Sequence, residues 1–124
     1  MSPKRVLVVE DDSALRSIIR DNLTREGLTV LEAKTGKDAL KQALTERPDL
    51  ILLDIILPDM DGIKVLKEIH ADSWGKTAKV IMLTNLSDNK SVASSLEFGS
   101  YDFIVKSDWK IEDVMKLVRD KLKD

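Results

Sequence analysis

Val6-Leu7-Val8-Val9-Glu10-Asp11-Asp12, residues 6–12, carries the strongest architectural signal in the chain. Four apolar residues, three of them valines, run without interruption and stop at three acids. A run this short and this rich in β-branched side chains reads as a strand rather than a helix. A strand that is apolar at every position, not at alternate ones, is covered on both faces, which is the situation of a strand inside a parallel sheet.

Similar runs recur at 28–31, 50–53, 80–83 and 103–105. Between them lie helix-period stripes, such as Ala39, Leu40, Ala43 and Leu44, or Ile63, Leu66 and Ile69, with further stripes within 92–98 and 114–122. The punctuation agrees. Ser13 or Asp12 caps the first helix and Gly27 ends it, Asp61 opens the third, Ser87 or Asp88 opens the fourth, and Gly99 closes that one. The pattern is an α/β, (βα)₅ chain, and each right-handed crossover needs a helix to bring the next parallel strand into the sheet. The run at 28–31, continued by Glu32, is more mixed with polar residues than those at 6–9 and 50–53, which suits an edge. A doubly wound, flavodoxin-like sheet of order 2-1-3-4-5 is therefore expected.

Composition narrows the function classes. The 124 residues are 43% hydrophobic and 34% charged, and 20 basic against 22 acidic side chains leave a net charge of -2, so one soluble domain spanning 1–124 is expected, with no direct nucleic-acid partner. Without cysteine there is no disulfide, thiolate metal site or thiol nucleophile, and the single histidine, His70, argues against zinc or copper. No signal-peptide core or bilayer-length apolar run occurs, so a cytoplasmic location without membrane contact is expected.

In a doubly wound fold ligands sit outside the carboxyl ends of the strands. The first strand ends in Glu10-Asp11-Asp12, the third in Asp54, the fourth in Thr84 and the fifth in Lys106. Carboxylates held ~4 Å apart repel by ~4 kcal/mol at an effective dielectric of ~20, and one lysine does not offset three of them. A divalent cation does. All-oxygen ligation without Cys or His selects a hard ion, Mg²⁺ with Mn²⁺ as a possible substitute. With the metal in place, Asp54 can attack phosphorus as a carboxylate nucleophile to give an acyl phosphate, its oxygens held by Lys106 and Thr84.

In Val8-Val9-Glu10-Asp11-Asp12, Leu53-Asp54, Pro58-Asp59-Met60-Asp61-Gly62, Leu83-Thr84 and Phe103-Ile104-Val105-Lys106, the chain resembles the response-regulator receiver family of two-component signalling, including its chemotaxis regulators. The resemblance covers essentially the whole sequence. It implies that Asp54 is the phosphoacceptor and that Asp11, Asp12 and Asp54 hold Mg²⁺ with the backbone carbonyl of Ile56. It further implies that Lys106 pairs with the phosphoryl group, and that Thr84 and Phe103 form the switch pair. The implied donor is a histidine kinase or phosphotransfer protein, and small acyl or amidophosphates also serve. The implied output is altered binding of an unknown protein partner through the fourth predicted helix, the fifth strand and the C-terminal helix. The protein is expected as a monomer or a weak phosphorylation-dependent dimer, and to catalyse only its own Mg²⁺-dependent phosphorylation and dephosphorylation.

Some residues depart from the family pattern. Ser107 follows Lys106 where proline, often cis, is usual; a cis bond before serine costs roughly 3 kcal/mol, so a trans, differently shaped loop is expected. Ile56 and Leu86, two residues beyond Asp54 and Thr84, carry no group to orient water, which implies slow autodephosphorylation. Asn85 stands where a small residue is usual.

Four other readings fit these residues less well. The segment 57–68 mimics a calcium loop, but Leu57 occupies its first ligand position. A small-molecule aspartyl-phosphate hydrolase would need an acid/base aspartate at position 56, which is isoleucine. A flavin carrier would need a phosphate-binding loop where Glu10-Asp11-Asp12 repels phosphate. A receiver-like interaction module acting without phosphorylation is opposed by the intact set Asp11, Asp12, Asp54, Thr84 and Lys106. Trp74 and Trp109 read as local packing anchors, His70 as ordinary surface, Tyr101 as a core or edge-strand aromatic, and the serines of 87–95 as either a shifting helix or a solvated face.

Overall fold

The apolar runs become β1 (Arg5–Val9), β2 (Thr29–Ala33), β3 (Leu50–Asp54), β4 (Val80–Thr84) and β5 (Asp102–Val105). All pair in parallel, in the order β2-β1-β3-β4-β5. This is the order expected from the mixed composition of β2, whose residues are exposed or half-buried until Ala33. The computed structural model describes residues 3–75, 78–84, 102–105 and 110–123. The predicted fourth helix within 87–98, together with Asn85, Leu86, Tyr101, Lys106, Ser107 and Trp109, lies outside the described residues.

The described helices are α1 (Ser13–Arg25), α2 (Gly36–Glu46), α3 (Gly62–Ala71) and α4 (Ile111–Lys121). Strand parity decides which of them each residue meets, since successive side chains point to opposite faces. Leu7, Val9, Ile51, Leu53, Val80 and Met82 share one core with Ala39 and Ala43 of α2 and with Ile63, Leu66 and Ile69 of α3. Val6, Val8, Leu50, Leu52, Ile81 and Leu83 share the other with Ile19 and Leu23 of α1 and with Val114, Met115 and Val118 of α4. The central strands β1, β3 and β4 are thus dry on both sides, as their continuous apolar runs require.

Helix ends follow local chemistry. Asp12, not Ser13, is the N-cap of α1, Thr35 caps α2 and Asp61 caps α3. Gly27, at φ 82, turns the chain out of α1 in the left-handed region that glycine tolerates. α4 has no side-chain cap but carries Glu112 and Asp113 in its first turn and Arg119 and Lys121 in its last, which complements its dipole. Among the described residues no helix is long and apolar enough to cross a membrane.

Leu52 is fully buried between β1 and β4, whereas Ile18 on α1 is 49% exposed. Leu52→Ala is expected to lower unfolding stability by about 2–5 kcal/mol. Ile18→Ala should stay within about 0.5 kcal/mol, and urea midpoints of the two variants check both values.

Candidate functional site

β1 and β3 are neighbours, with Val9 opposite Leu53, so the next residue of each, Glu10 and Asp54, reaches the carboxyl rim side by side. Carboxylate oxygens of Glu10, Asp11 and Asp54 all lie within 4.8 Å of one another. Glu10 is fully buried, Asp54 is 3% exposed, and Asp11 faces solvent. With Arg16, Glu10 and Asp54 are the buried charged side chains among the described residues. Ionised groups held this close and this dry repel strongly unless a cation or hydrogen-bond donors compensate them. Two donors are backbone amides: the Ile56 N–H donates to Asp54 Oδ1 at 3.1 Å, and the Asp12 N–H to Glu10 Oε2 at 3.3 Å.

The group differs by one member from the sequence expectation, which set Asp12 beside Asp11 and Asp54. The Asp12 carboxylate turns into the helix, where Oδ1 accepts the N–H groups of Ala14 at 3.0 Å and Leu15 at 3.2 Å. Because α1 begins at Ser13, the residue before it faces the orphan amides of the first turn. Glu10, the first residue past β1, takes the place by the rim. The signal in the sequence was its position directly after the apolar run.

The β3–α3 loop is held tightly. Ile56, 54% exposed, forms an antiparallel bridge with Asp61, and the Gly62 N–H donates to the Ile55 carbonyl at 2.6 Å. A Cβ at Gly62 would stand 2.2 Å from the Asp54 carbonyl oxygen, so only glycine lets α3 start this close to the site. The acids of Pro58-Asp59-Met60-Asp61-Gly62 serve helix starts. Asp61 Oδ1 accepts from Ile63 N at 2.7 Å. Asp59 crosses to α2, where Oδ1 accepts from Gly36 N at 2.7 Å and Oδ2 from Lys37 N at 3.0 Å. These two amides hold the Asp59 carboxyl below its ordinary range. Sequence reasoning gave Asp59 no structural role, because its partners lie 22 and 23 residues away.

Thr84 closes β4 and Phe103 lies in β5 opposite Met82. The side chains of Thr84 and Phe103, and Lys106 entirely, lie outside what is described. Trp74 packs against the α2–α3 core, in keeping with a local anchor. His70 is half-buried, and that burial pushes its imidazole below the usual range.

The sequence profile of the response regulator receiver domain matches residues 6–119. This chain belongs to that family. The receiver domain is 38% identical over 103 residues to the alkaline phosphatase synthesis transcriptional regulatory protein PhoP of Bacillus subtilis, covering 83% of this chain and 42% of PhoP. It is 37% identical over 103 residues to the chemotaxis protein CheY of the same organism, covering 82% of this chain and 84% of CheY. The chain thus spans less than half of PhoP but most of CheY. Among solved structures, the receiver domain of sensor histidine kinase PA1611 from Pseudomonas aeruginosa superimposes with a TM-score of 0.88 at 26% identity, covering 99% of this chain and 100% of that one. That structure has a magnesium ion coordinated in its active site cleft.

The Asp59 contact has a pH signature. Its carboxyl is held below the ordinary value of 3.8, so its contribution to stability is present above that pH and lost as pH falls through the lower, folded-state value. Asp59→Ala is expected to be less stable than wild type at neutral pH, and the gap between their urea midpoints should narrow on acidification below 3.8.

Proposed function

We propose that this protein is a phosphorylation-dependent signalling switch in which Asp54 accepts a phosphoryl group with the help of Mg²⁺. The convergence of Glu10, Asp11 and Asp54, two of them buried, carries this reading. The donor set is all oxygen, which suits a hard divalent cation, Mg²⁺ or in its place Mn²⁺. Glu10, Asp11 and Asp54, with the Ile56 backbone carbonyl, are the residues proposed to hold it. When bound, the cation neutralises the rim and gives the phosphoryl oxygens a place to sit.

Asp54 supplies the nucleophile. One of its oxygens bonds to phosphorus as the bond from phosphorus to the donor's imidazole nitrogen breaks, leaving an acyl phosphate on Asp54 and a histidine that keeps the electron pair. The donor is a histidine kinase or phosphotransfer protein. Lys106 and Thr84 hold the phosphoryl oxygens, and Thr84 with Phe103 transmits the added charge to a protein partner through the segment 87–98, β5 and α4. The chain acts in this reading as one domain, 1–124, in the cytoplasm, and its only catalysis is on itself.

Incubation with acetyl phosphate and Mg²⁺ is expected to add one phosphoryl group by intact mass, and Asp54→Asn to add none. No gain by wild type would favour an interaction module that works without phosphorylation. Mg²⁺ affinity, measured by calorimetry, should fall at least about tenfold in Glu10→Gln and Asp11→Asn. Asp12→Ala should lower it far less, while losing about 0.5–2 kcal/mol of stability with its helix cap.

Ile56 is exposed beside Asp54 and offers no polar side-chain atom to an attacking water. Leu86, proposed to flank the same group, offers none either. The acyl phosphate is expected to outlast minutes when loss of acid-labile phosphate is followed, and a lifetime of seconds would contradict this.

A further inference from the structure

Arg16 stands where packing alone would favour a leucine. It belongs to the buried face of α1 with Ile19 and Leu23, and only 8% of it is exposed. A guanidinium withdrawn from water costs several kcal/mol unless partners compensate it. Its partners are specific: Nη1 donates to the backbone carbonyl of Glu10 at 2.9 Å, and Nε donates to Glu32 Oε1 on β2 at 3.1 Å. Arg20 Nη1 stands 3.8 Å from the same Glu32 oxygen.

The contact with Glu10 bears on the acidic rim through covalent geometry. The Glu10 carbonyl and the Asp11 N–H belong to one planar peptide unit, and both rim carboxylates from β1 hang from the Cα atoms at its ends. The other side of Glu10 is also tied, since its N–H donates to the Ala33 carbonyl at 3.1 Å. With N–H on β2 and C=O on Arg16, the backbone at Glu10 is fixed on both sides. The Asp12 cap then holds the chain one residue past Asp11.

We infer that Arg16 is a positioning residue for the cation-binding carboxylates: by clamping the Glu10 carbonyl against Glu32, it sets the directions from which Glu10 and Asp11 meet Asp54. This rests on the reading of the rim as a Mg²⁺ site. It predicts an unusual separation of effects. Removing the guanidinium strands no buried charge, because Glu32 is half-exposed and near Arg20, so the stability cost is confined to the Glu10 carbonyl that loses its donor. Cation affinity should fall nonetheless. Lysine restores the charge but not the fork that reaches both oxygens.

The test is calorimetric titration of the full chain with Mg²⁺, with urea midpoints measured in parallel. Arg16→Met is expected to raise the Kd about 10–100-fold while its midpoint falls only modestly below that of wild type, leaving the chain folded throughout the titration. Arg16→Lys should show a smaller loss, and Glu32→Gln a change in the same direction. Arg119→Ala, which breaks the distant pair with Glu26, should leave the Kd unchanged. Phosphorylation of Arg16→Met by acetyl phosphate should slow at limiting Mg²⁺ and recover at saturation. Wild-type affinity in both Arg16 variants overturns the role of Arg16 alone. If Arg16→Met does not fold, Arg16→Lys and Glu32→Gln decide by the same criterion. Absence of Mg²⁺ binding by wild type overturns the reading of the rim, and the role of Arg16 with it.

Discussion

Two carboxylates kept out of water beside each other, Glu10 and Asp54, set the terms for the surrounding structure. Charge is kept out of the middle of the central strands: residues 6–9 of β1 and 50–53 of β3 are apolar on both faces, and helices cover both sides. Their carboxyl ends are the first places where acids can sit, and the parallel register of Val9 with Leu53 delivers them side by side. The apolar strands and the charged rim are two consequences of one arrangement. An alternating strand would have given a wet face and scattered its acids along it.

Holding such a rim in shape falls to the loops, and here neighbouring acids have divided roles. Glu10 and Asp11 stay with Asp54, while Asp12 closes the first turn of α1. On the other side, Asp61 closes α3 and Asp59 reaches across to the first amides of α2. Gly62 lets α3 start against the backbone of Asp54 itself. Asp12, Asp59 and Asp61 each offer oxygens to amides that a helix start leaves without partners, which adds to the backbone contacts that Glu10 and Asp54 make themselves.

Most of the architecture was legible because burial on both faces leaves a mark that needs no knowledge of the partner. Uninterrupted apolar runs mark the central strands, and the polar mixture of β2 marks the edge. Asp54 and Asp11 were legible from where their strands end. The choice between Glu10 and Asp12 was not, because it turns on whether α1 begins one residue earlier or later, a difference that Ser13 and Asp12 leave open as caps. Arg16 was hidden for another reason. A charged residue on an otherwise apolar stripe reads as an interruption until its partners are known, and Glu32 and the Glu10 carbonyl come from other elements.

The edge position of β2 and the clamp on Glu10 have a common origin. A buried guanidinium needs a carboxylate, and that carboxylate is cheapest to ionise where part of it still meets water. Within reach of α1, only a strand that flanks β1 and lacks an outer neighbour offers both conditions. Glu32 meets them: it lies opposite Val8 in the register, with about a third of its side chain exposed. In a central strand the same glutamate would be another buried charge to offset, and Arg16 would lose more by desolvation than it gains. The polar residue that marks β2 as an edge is therefore also the one that lets α1 reach over and hold the end of β1.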